Sequence, residues 1–451
     1  MLRKTIIAFT LAALIAGCTE DEPSTATSAE ASTTTTAGGT ATSTGTAAPT
    51  TAPGDGSVVS DFAGQDWFVG TVPNAGVEAD STLEPIVIGM INQENSPIGS
   101  WPEVRVAAQA AVNWINAELG GVNGRPIEFK TCITSFSVEQ SQACAQQLVQ
   151  DGAVAVISGI DITANGSLPI LEQNGIPMIS AVPTTLAELR SSHVVSFSGG
   201  TTGADVAFVA HAAENGAKRI ALAYGQFESF EVPAVDYGAK VAESLGLETT
   251  LIPFSMATTD FLPVVQSAID SGADAITIAA ADSACVPIIM TLHDLGYTGT
   301  VYMVGACAAV EILAQIPDDI QADVVFNREG PSATTNEREM YFDVADRYTD
   351  EPAGGAGTVS FRAVMNLWAV LTAIGPDITP AAITERFASS VDQPSFWGHP
   401  YTCDGKQVPG MPALCSPQQT LFSMPDDLVD HSVPVTDDWI DVPALVADLP
   451  G

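Results

Sequence analysis

Beyond Leu83 the chain alternates short, wholly apolar runs with longer segments whose apolar positions return every third or fourth residue. Ile86-Val87-Ile88-Gly89-Met90 is a run of strand length without polar alternation, the mark of a strand covered on both faces. Over 103–119, Val104, Ala108, Ala111, Val112, Ile115 and Leu119 share one helical face, and Gly120-Gly121 stops the helix. Ile127-Glu128-Phe129 starts a strand, and Ser137 with Gln140 has the pattern of a capping box opening a helix to Gln150. Ala153-Val154-Ala155-Val156-Ile157 is a buried strand, 168–172 is helical, and Pro177-Met178-Ile179-Ser180 is another strand. The order then recurs, with strands over 219–224 and 249–253 and helices over 232–245 and 260–271. Strands alternating with helices predict an α/β fold built on parallel sheets.

Two stretches echo each other in letters: GAVAVISGIDITANGSLPILEQNGIPMIS from Gly152 and GADAITIAAADSACVPIIMTLHDLGYTGTVYMVG from Gly272. Each holds an apolar strand, a loop with an acid (Asp161, Asp282), a helix, a glycine and a further strand. The echo predicts two Rossmann-like lobes wound alike. Open parallel sheets bind ligands beyond the carboxyl ends of their strands, so two facing sheets make a cleft suited to hinge closure. The candidate site is then the set of strand-end loops at 93–101, 159–163, 180–185, 225–230, 280–283 and 305–307. Trp101, Tyr224, Phe227 and Phe230 are its candidate aromatic walls. Asp161 and Asp282 are candidate acceptors, with helix capping as their ordinary alternative. Ser180 and Thr184 are candidate ligand hydroxyls, with a local turn bond as theirs. Trp368, Trp397 and Trp439 read as packing residues.

Charge narrows the function. Fifteen Lys and Arg against 53 Asp and Glu give a net −38, which argues against nucleic acid because phosphates would go unneutralised. The same excess fits a strongly hydrated surface. At the N-terminus Arg3 and Lys4 precede an apolar run, 6–17, of signal-peptide length. The run ends in Leu14-Ile15-Ala16-Gly17-Cys18, which resembles a bacterial lipobox and makes Cys18 the expected lipidation site. Residues 19–56 are rich in Ser, Thr, Ala, Gly and Pro and are expected to form a disordered tether reaching about 35 Å. Cys18 set aside, the seven cysteines leave Cys132, Cys144, Cys285, Cys307, Cys403 and Cys415. An even set in an oxidising compartment predicts disulfides, and proximity favours Cys132–Cys144, Cys285–Cys307 and Cys403–Cys415. A zinc site is disfavoured: no CxxC pair exists and the five histidines are scattered. Enzyme signatures are missing too, with no GxSxG elbow, HExxH, P-loop or GxGxxG after a strand. No cofactor is expected.

The segments IVIGMINQENSPIGSW, GRPIEF, QQLVQDGAVAVISG, NGIPMISA, DSGADAITIAA and SFRAVMNLWAVLTAI, in that order over about 83–422, resemble the branched-chain amino-acid (Leu/Ile/Val) binding family of ABC-transporter solute receptors. The resemblance implies the type I periplasmic-binding fold: two Rossmann-like lobes with parallel sheets, joined by a three-stretch hinge. In that reading Trp101, after Ser96-Pro97-Ile98, lines the ligand's apolar side, and Ser180, Ala181 and Thr184 supply donors to a ligand carboxylate. Val182-Pro183 departs from the pattern and removes one amide donor. The family's acid for an amino group falls near Ala306, where none stands, and Asp282 is the expected substitute. Crossings between lobes are expected near 199–203, 326–331 and 375–380. Lobe 1 is then 84–200 with 332–376, and lobe 2 is 204–327 with 379–425, flanked by an N-terminal extension, 57–83, and a tail, 426–451. The implied protein is a monomeric, non-catalytic, lipid-anchored receptor outside the cell membrane. It would bind a small amino-acid-like or amide ligand and deliver it to a membrane permease. A sensor presenting its closed form to a receptor, and a secreted hydrolase, are the alternatives.

Overall fold

The computed structural model describes residues 57–62, 76–96, 99–317, 320, 324–332, 335–351, 353, 355–424 and 432–449. The lipobox with Cys18, the tether 19–56 and parts of the N-terminal extension and the tail lie outside the described residues. The apolar runs form two sheets. The first takes β1 (Ile86–Gln93), β2 (Ile127–Thr134), β3 (Ala155–Ser158), β4 (Met178–Ser180) and β5 (Val194–Ser196), in the order β2-β1-β3-β4-β5, with every pair parallel. The second takes β6 (Arg219–Gly225), β7 (Glu248–Phe254), β8 (Ala275–Ala279), β9 (Thr300–Met303), β10 (Val324–Arg328), β11 (Thr420–Ser423) and β12 (Val433–Pro434), in the order β12-β11-β10-β9-β8-β6-β7. Its core is parallel, and β11 and β12 add an antiparallel edge. The stretches from Gly152 and Gly272 thus supply β3–β4 of one sheet and β8–β9 of the other.

Each sheet is covered on both faces, as the unbroken apolar runs require. In β1, Ile86, Ile88 and Met90 face one core while Ile91 joins the opposite one with Leu148, Val156 and Met178. In β6 the alternation repeats, with Ala221 and Ala223 in one core and Ile220 and Leu222 in the other. Helix Gly357–Ile374 is apolar nearly all round because it is buried: Phe361, Met365, Trp368 and Leu371 sit in the first lobe's core. The extension straps onto the same lobe, where Val58 and Val59 N–H donate to the Glu118 carboxylate and Tyr348 Oη donates to it at 2.6 Å.

Disulfides join Cys132 to Cys144, Cys285 to Cys307 and Cys403 to Cys415. One boundary differs from the sequence expectation. Helix Pro380–Ala388 has the expected Thr379 cap, which accepts from Ala382 N–H at 3.2 Å, but it belongs to the first lobe. Its Ile383 and Phe387 are buried in that core, and Phe197 packs against both Phe387 (6.0 Å) and Tyr401 (4.9 Å). The stapled segment that follows runs along β5: Ser196 N–H donates to Ala413 O and Cys415 N–H to Ser196 O, both at 2.8 Å. The chain therefore leaves the first lobe after this helix rather than at 375–380, within a stapled segment that touches both lobes, since its Val408, Met411 and Leu414 pack with Phe208 and Leu222 of the second. An N-cap marks where a helix starts, not which core its apolar face enters.

Candidate functional site

A cavity of about 440 Å³ lies between the carboxyl ends of the two sheets, lined from the first lobe by Trp101, Phe136, Ile160, Ile162, Val182, Pro183 and Thr184 and from the second by Phe227, Phe230, Met256, Ala280, Ala281, Asp282 and Ala306. Its floor holds Ser198, Asn327, Arg328, Glu329, Arg362 and Trp397. Trp101 is placed by polar residues at the end of β1. Asn92, buried, donates to Trp101 O at 2.8 Å and accepts from Ile160 N–H at 3.1 Å; Gln93 donates to Gly99 O at 2.9 Å. Gly159 allows this approach, since a Cβ there would lie 2.3 Å from Asn92 Oδ1. The Trp101 indole N–H then reaches across the cavity and donates to Asp282 Oδ2 at 2.8 Å. Burial pushes the Asp282 carboxyl above its usual value, and the indole bond pulls it partly back. The Cys285–Cys307 bridge ties the loop bearing Asp282 to the one bearing Ala306.

The crossings meet beneath the cavity at Glu329. Its carboxylate accepts from Ser198 Oγ (2.6 Å), Gly199 N–H (2.9 Å), Gln419 Nε2 (3.3 Å) and Arg362 Nη1 (3.3 Å). Arg362, 4% exposed, also donates to Phe197 O and Glu329 O. Burial lowers the Arg362 guanidinium, and the Glu329 charge opposes that shift. Backbone packing here is tight: a Cβ on Gly199 or Gly203 would lie 2.6 or 2.7 Å from Pro417 O.

Of the candidate ligand residues, Trp101, Thr184, Phe227, Phe230, Asp282 and Ala306 line the cavity. Ser96, Asp161, Ser180, Ala181 and Tyr224 are not in its wall and are buried. Asp161 is fully buried and accepts from Thr134, Ser141 and Thr163 hydroxyls at 3.2, 2.8 and 2.6 Å. Ser180 Oγ donates to Glu188 at 3.1 Å. Thr184, though in the wall, gives its hydroxyl to Asp161 O at 2.9 Å and its N–H to Glu188 at 3.0 Å. Glu188 thus collects the donors of this loop, together with Ser158 and Thr185. Burial pushes it up to about 7, against the pull of those bonds. Tyr224 packs with Ala234 and Ala279 behind the wall. Trp397, read from sequence as packing, is a floor residue that stacks near Tyr341 at 5.7 Å. Phe136, Met256, Arg328, Glu329 and Arg362 carry no local sequence signal of their place here, whereas Ile160 and Ile162 flank Asp161 inside a candidate loop. Among the described residues no group of three or more His, Cys, Asp or Glu is placed to hold a metal ion.

Known proteins share this fold. A Leu/Ile/Val-binding protein homologue of Brucella abortus (strain 2308) is 30% identical over 149 residues, covering 30% of this chain and 36% of that protein; the match thus spans about a third of the relative's length. The fatty acid ABC transporter substrate-binding protein from Thermomonospora curvata superposes with a TM-score of 0.68 at 14% identity, covering 82% of this chain and 97% of that one. For the ABC transporter substrate-binding protein from Sphaerobacter thermophilus the TM-score is 0.67 at 18% identity, with 79% and 98% covered. The sequence model of one family matches residues 85–409, which span the first sheet and β6 to β10 of the second, and the chain belongs to that family, the periplasmic binding proteins.

Proposed function

We propose that this chain is the extracytoplasmic solute receptor of an ABC importer: a non-catalytic clamp whose lobes close over one small molecule and present it to a membrane permease. The observation that carries the reading is the cavity at the facing strand ends, bridged by the Trp101–Asp282 bond. That bond joins residues of opposite lobes, so it stabilises the closed arrangement and is lost when they part. Binding then favours closure by its differential affinity for the closed state. The three disulfides agree with an oxidising compartment, and a lipid on Cys18 would hold the receptor at the membrane as a monomer.

Trp101→Ala tests the placement. The expected result is at least a tenfold loss of solute affinity by calorimetry, with the solute-free melting temperature changed by only a few degrees. Unchanged affinity contradicts the site.

A further inference from the structure

Among the described residues, five other than glycine sit in the left-handed backbone region: Asn95, Asn123, Phe136, Asp392 and Trp397. Three are Asn or Asp, whose short polar side chains tolerate that region. The other two, Phe136 at φ 62° and Trp397 at φ 42°, are bulky residues for which it is an outlier and a local cost. Both line the cavity between the lobes. Phe136 is also 41% exposed, so burial of its ring within the first lobe offsets little of that cost.

A strained residue persists where its surroundings fix the chain on both sides. Phe136 lies in the turn between β2, which ends at Thr134, and the helix Val138–Gln150. Before the turn, Thr134 Oγ1 donates to the Asp161 carboxylate at 3.2 Å; after it, Ser141 Oγ donates to the same carboxylate at 2.8 Å. Thr163 gives that carboxylate both its N–H and its hydroxyl, at 3.1 and 2.6 Å. Within the turn, Ser135 N–H donates to Gln140 Oε1 at 2.7 Å. Asp161, fully buried and outside the wall, thus ties down both ends of the turn that holds Phe136 in it. Trp397 is fixed in a similar way. Asn366, buried, donates to Ser395 Oγ and accepts from Phe396 N–H, both at 2.9 Å. Gln393 and Tyr401 exchange backbone bonds across the loop at 2.9 and 2.8 Å. Each ring therefore stands in the wall because a hydrogen-bonded frame overrides its backbone preference.

We propose that Phe136 and Trp397 are solute-contact residues, one at the exposed lip of the cavity and one on its floor, and that their backbone strain is kept for binding and not for folding. This rests on the solute-receptor reading above and deepens it, by naming two residues that set which body the cavity accepts. A strained residue kept for packing alone loses stability when its ring is removed. One kept for a solute loses affinity instead, and glycine in its place relieves the strain.

The test uses the full chain and two fluorescent probes, uncharged N-phenylnaphthylamine and anionic anilinonaphthalenesulfonate, which share one apolar body and so presuppose no charge on the solute. Whichever binds the unaltered protein more tightly is titrated into the variants, and melting temperatures are measured without it. Phe136→Ala keeps the strain and loses the ring; Phe136→Gly loses both. Each should bind the probe at least fivefold more weakly, and the Gly variant should melt above the Ala variant and no lower than the unaltered protein. Trp397→Phe, which keeps a ring against Tyr341, should bind at least threefold more weakly at an unchanged melting temperature. Unchanged affinity in both Phe136 variants, where Trp101→Ala weakens the probe, overturns the role of Phe136 and leaves the receptor reading standing. Unchanged affinity in Trp397→Phe does the same for Trp397. A Gly variant that melts no higher than the Ala variant overturns the claim of strain. No probe binding to the unaltered protein, or binding that Trp101→Ala also leaves untouched, contradicts an apolar cavity between the lobes and with it the receptor reading itself.

Discussion

Two sets of buried charges in this molecule are treated in opposite ways. Where the crossings meet, Glu329 and Arg362 are surrounded by donors and acceptors from three separate stretches of chain. At the adjacent position Arg328 has two shielded nitrogens unbonded among the described residues, and Asp205, in helix Gly200–Glu214, is buried with both carboxylate oxygens unbonded among them. A buried pair bonded this fully, with only Arg362 Nε unbonded among the described residues, holds a geometry, because removing either member strands the other. An unsatisfied charge is a local cost.

The contrast predicts effects of opposite sign. The largest belongs to Arg362→Ala, which strands Glu329 and should destabilise the protein by about 3–5 kcal/mol, measured by denaturant unfolding; a neutral result would mean that the crossings are not held by this pair. Asp205→Asn should do the reverse. Burial raises the Asp205 carboxyl from 3.8 to about 8, so between those values the folded state carries a proton that the unfolded state has lost. Stability is then full below about pH 4, falls as pH rises, and levels off above about 8. The Asn variant should flatten that slope and melt higher than the unaltered protein at pH 8, by a margin on the order of a few kcal/mol; an unchanged slope in pH-dependent melting would mean that Asp205 has a partner in solution. Trp101→Phe keeps a ring in the wall but loses the donor to Asp282, and should weaken solute binding several-fold, about 1 kcal/mol. The smallest effect is expected for Thr184→Val. Its hydroxyl is turned to Asp161 O, so calorimetry should find affinity within about a factor of two while stability drops by about 1 kcal/mol.

The Thr184 case shows what the sequence could and could not reveal. Unbroken apolar runs such as Ile86–Met90 declare strands covered on both faces, and alternation with helices declares parallel sheets. The candidate cleft loops followed from that topology, and they contain Trp101, Phe227, Phe230 and Asp282, all of which line the cavity. Within a loop, the pattern does not say which way a side chain turns. Asp161 and Ser180 sit at strand ends and point inward to Thr134, Ser141 and Glu188, while the apolar neighbours Ile160 and Ile162 face the cavity. Trp397 and Arg328 reach the site through long-range packing: Trp397 lies against Tyr341 and Gly330, and Arg328 ends the strand that pairs with β11. The third crossing was hidden for the same reason, because Ile383 and Phe387 fit either core by composition and only tertiary packing selects the first.

The claim on which the account depends is that the lobes close over the solute. Spin labels at Gln146→Cys and Glu243→Cys, exposed positions on helices of the first and second lobe, report the distance between the lobes by pulsed electron paramagnetic resonance. On addition of whichever probe binds, the distance distribution should shift and narrow, and Trp101→Ala should blunt both changes. A distribution unaltered by a solute that calorimetry shows to be bound would contradict the clamp.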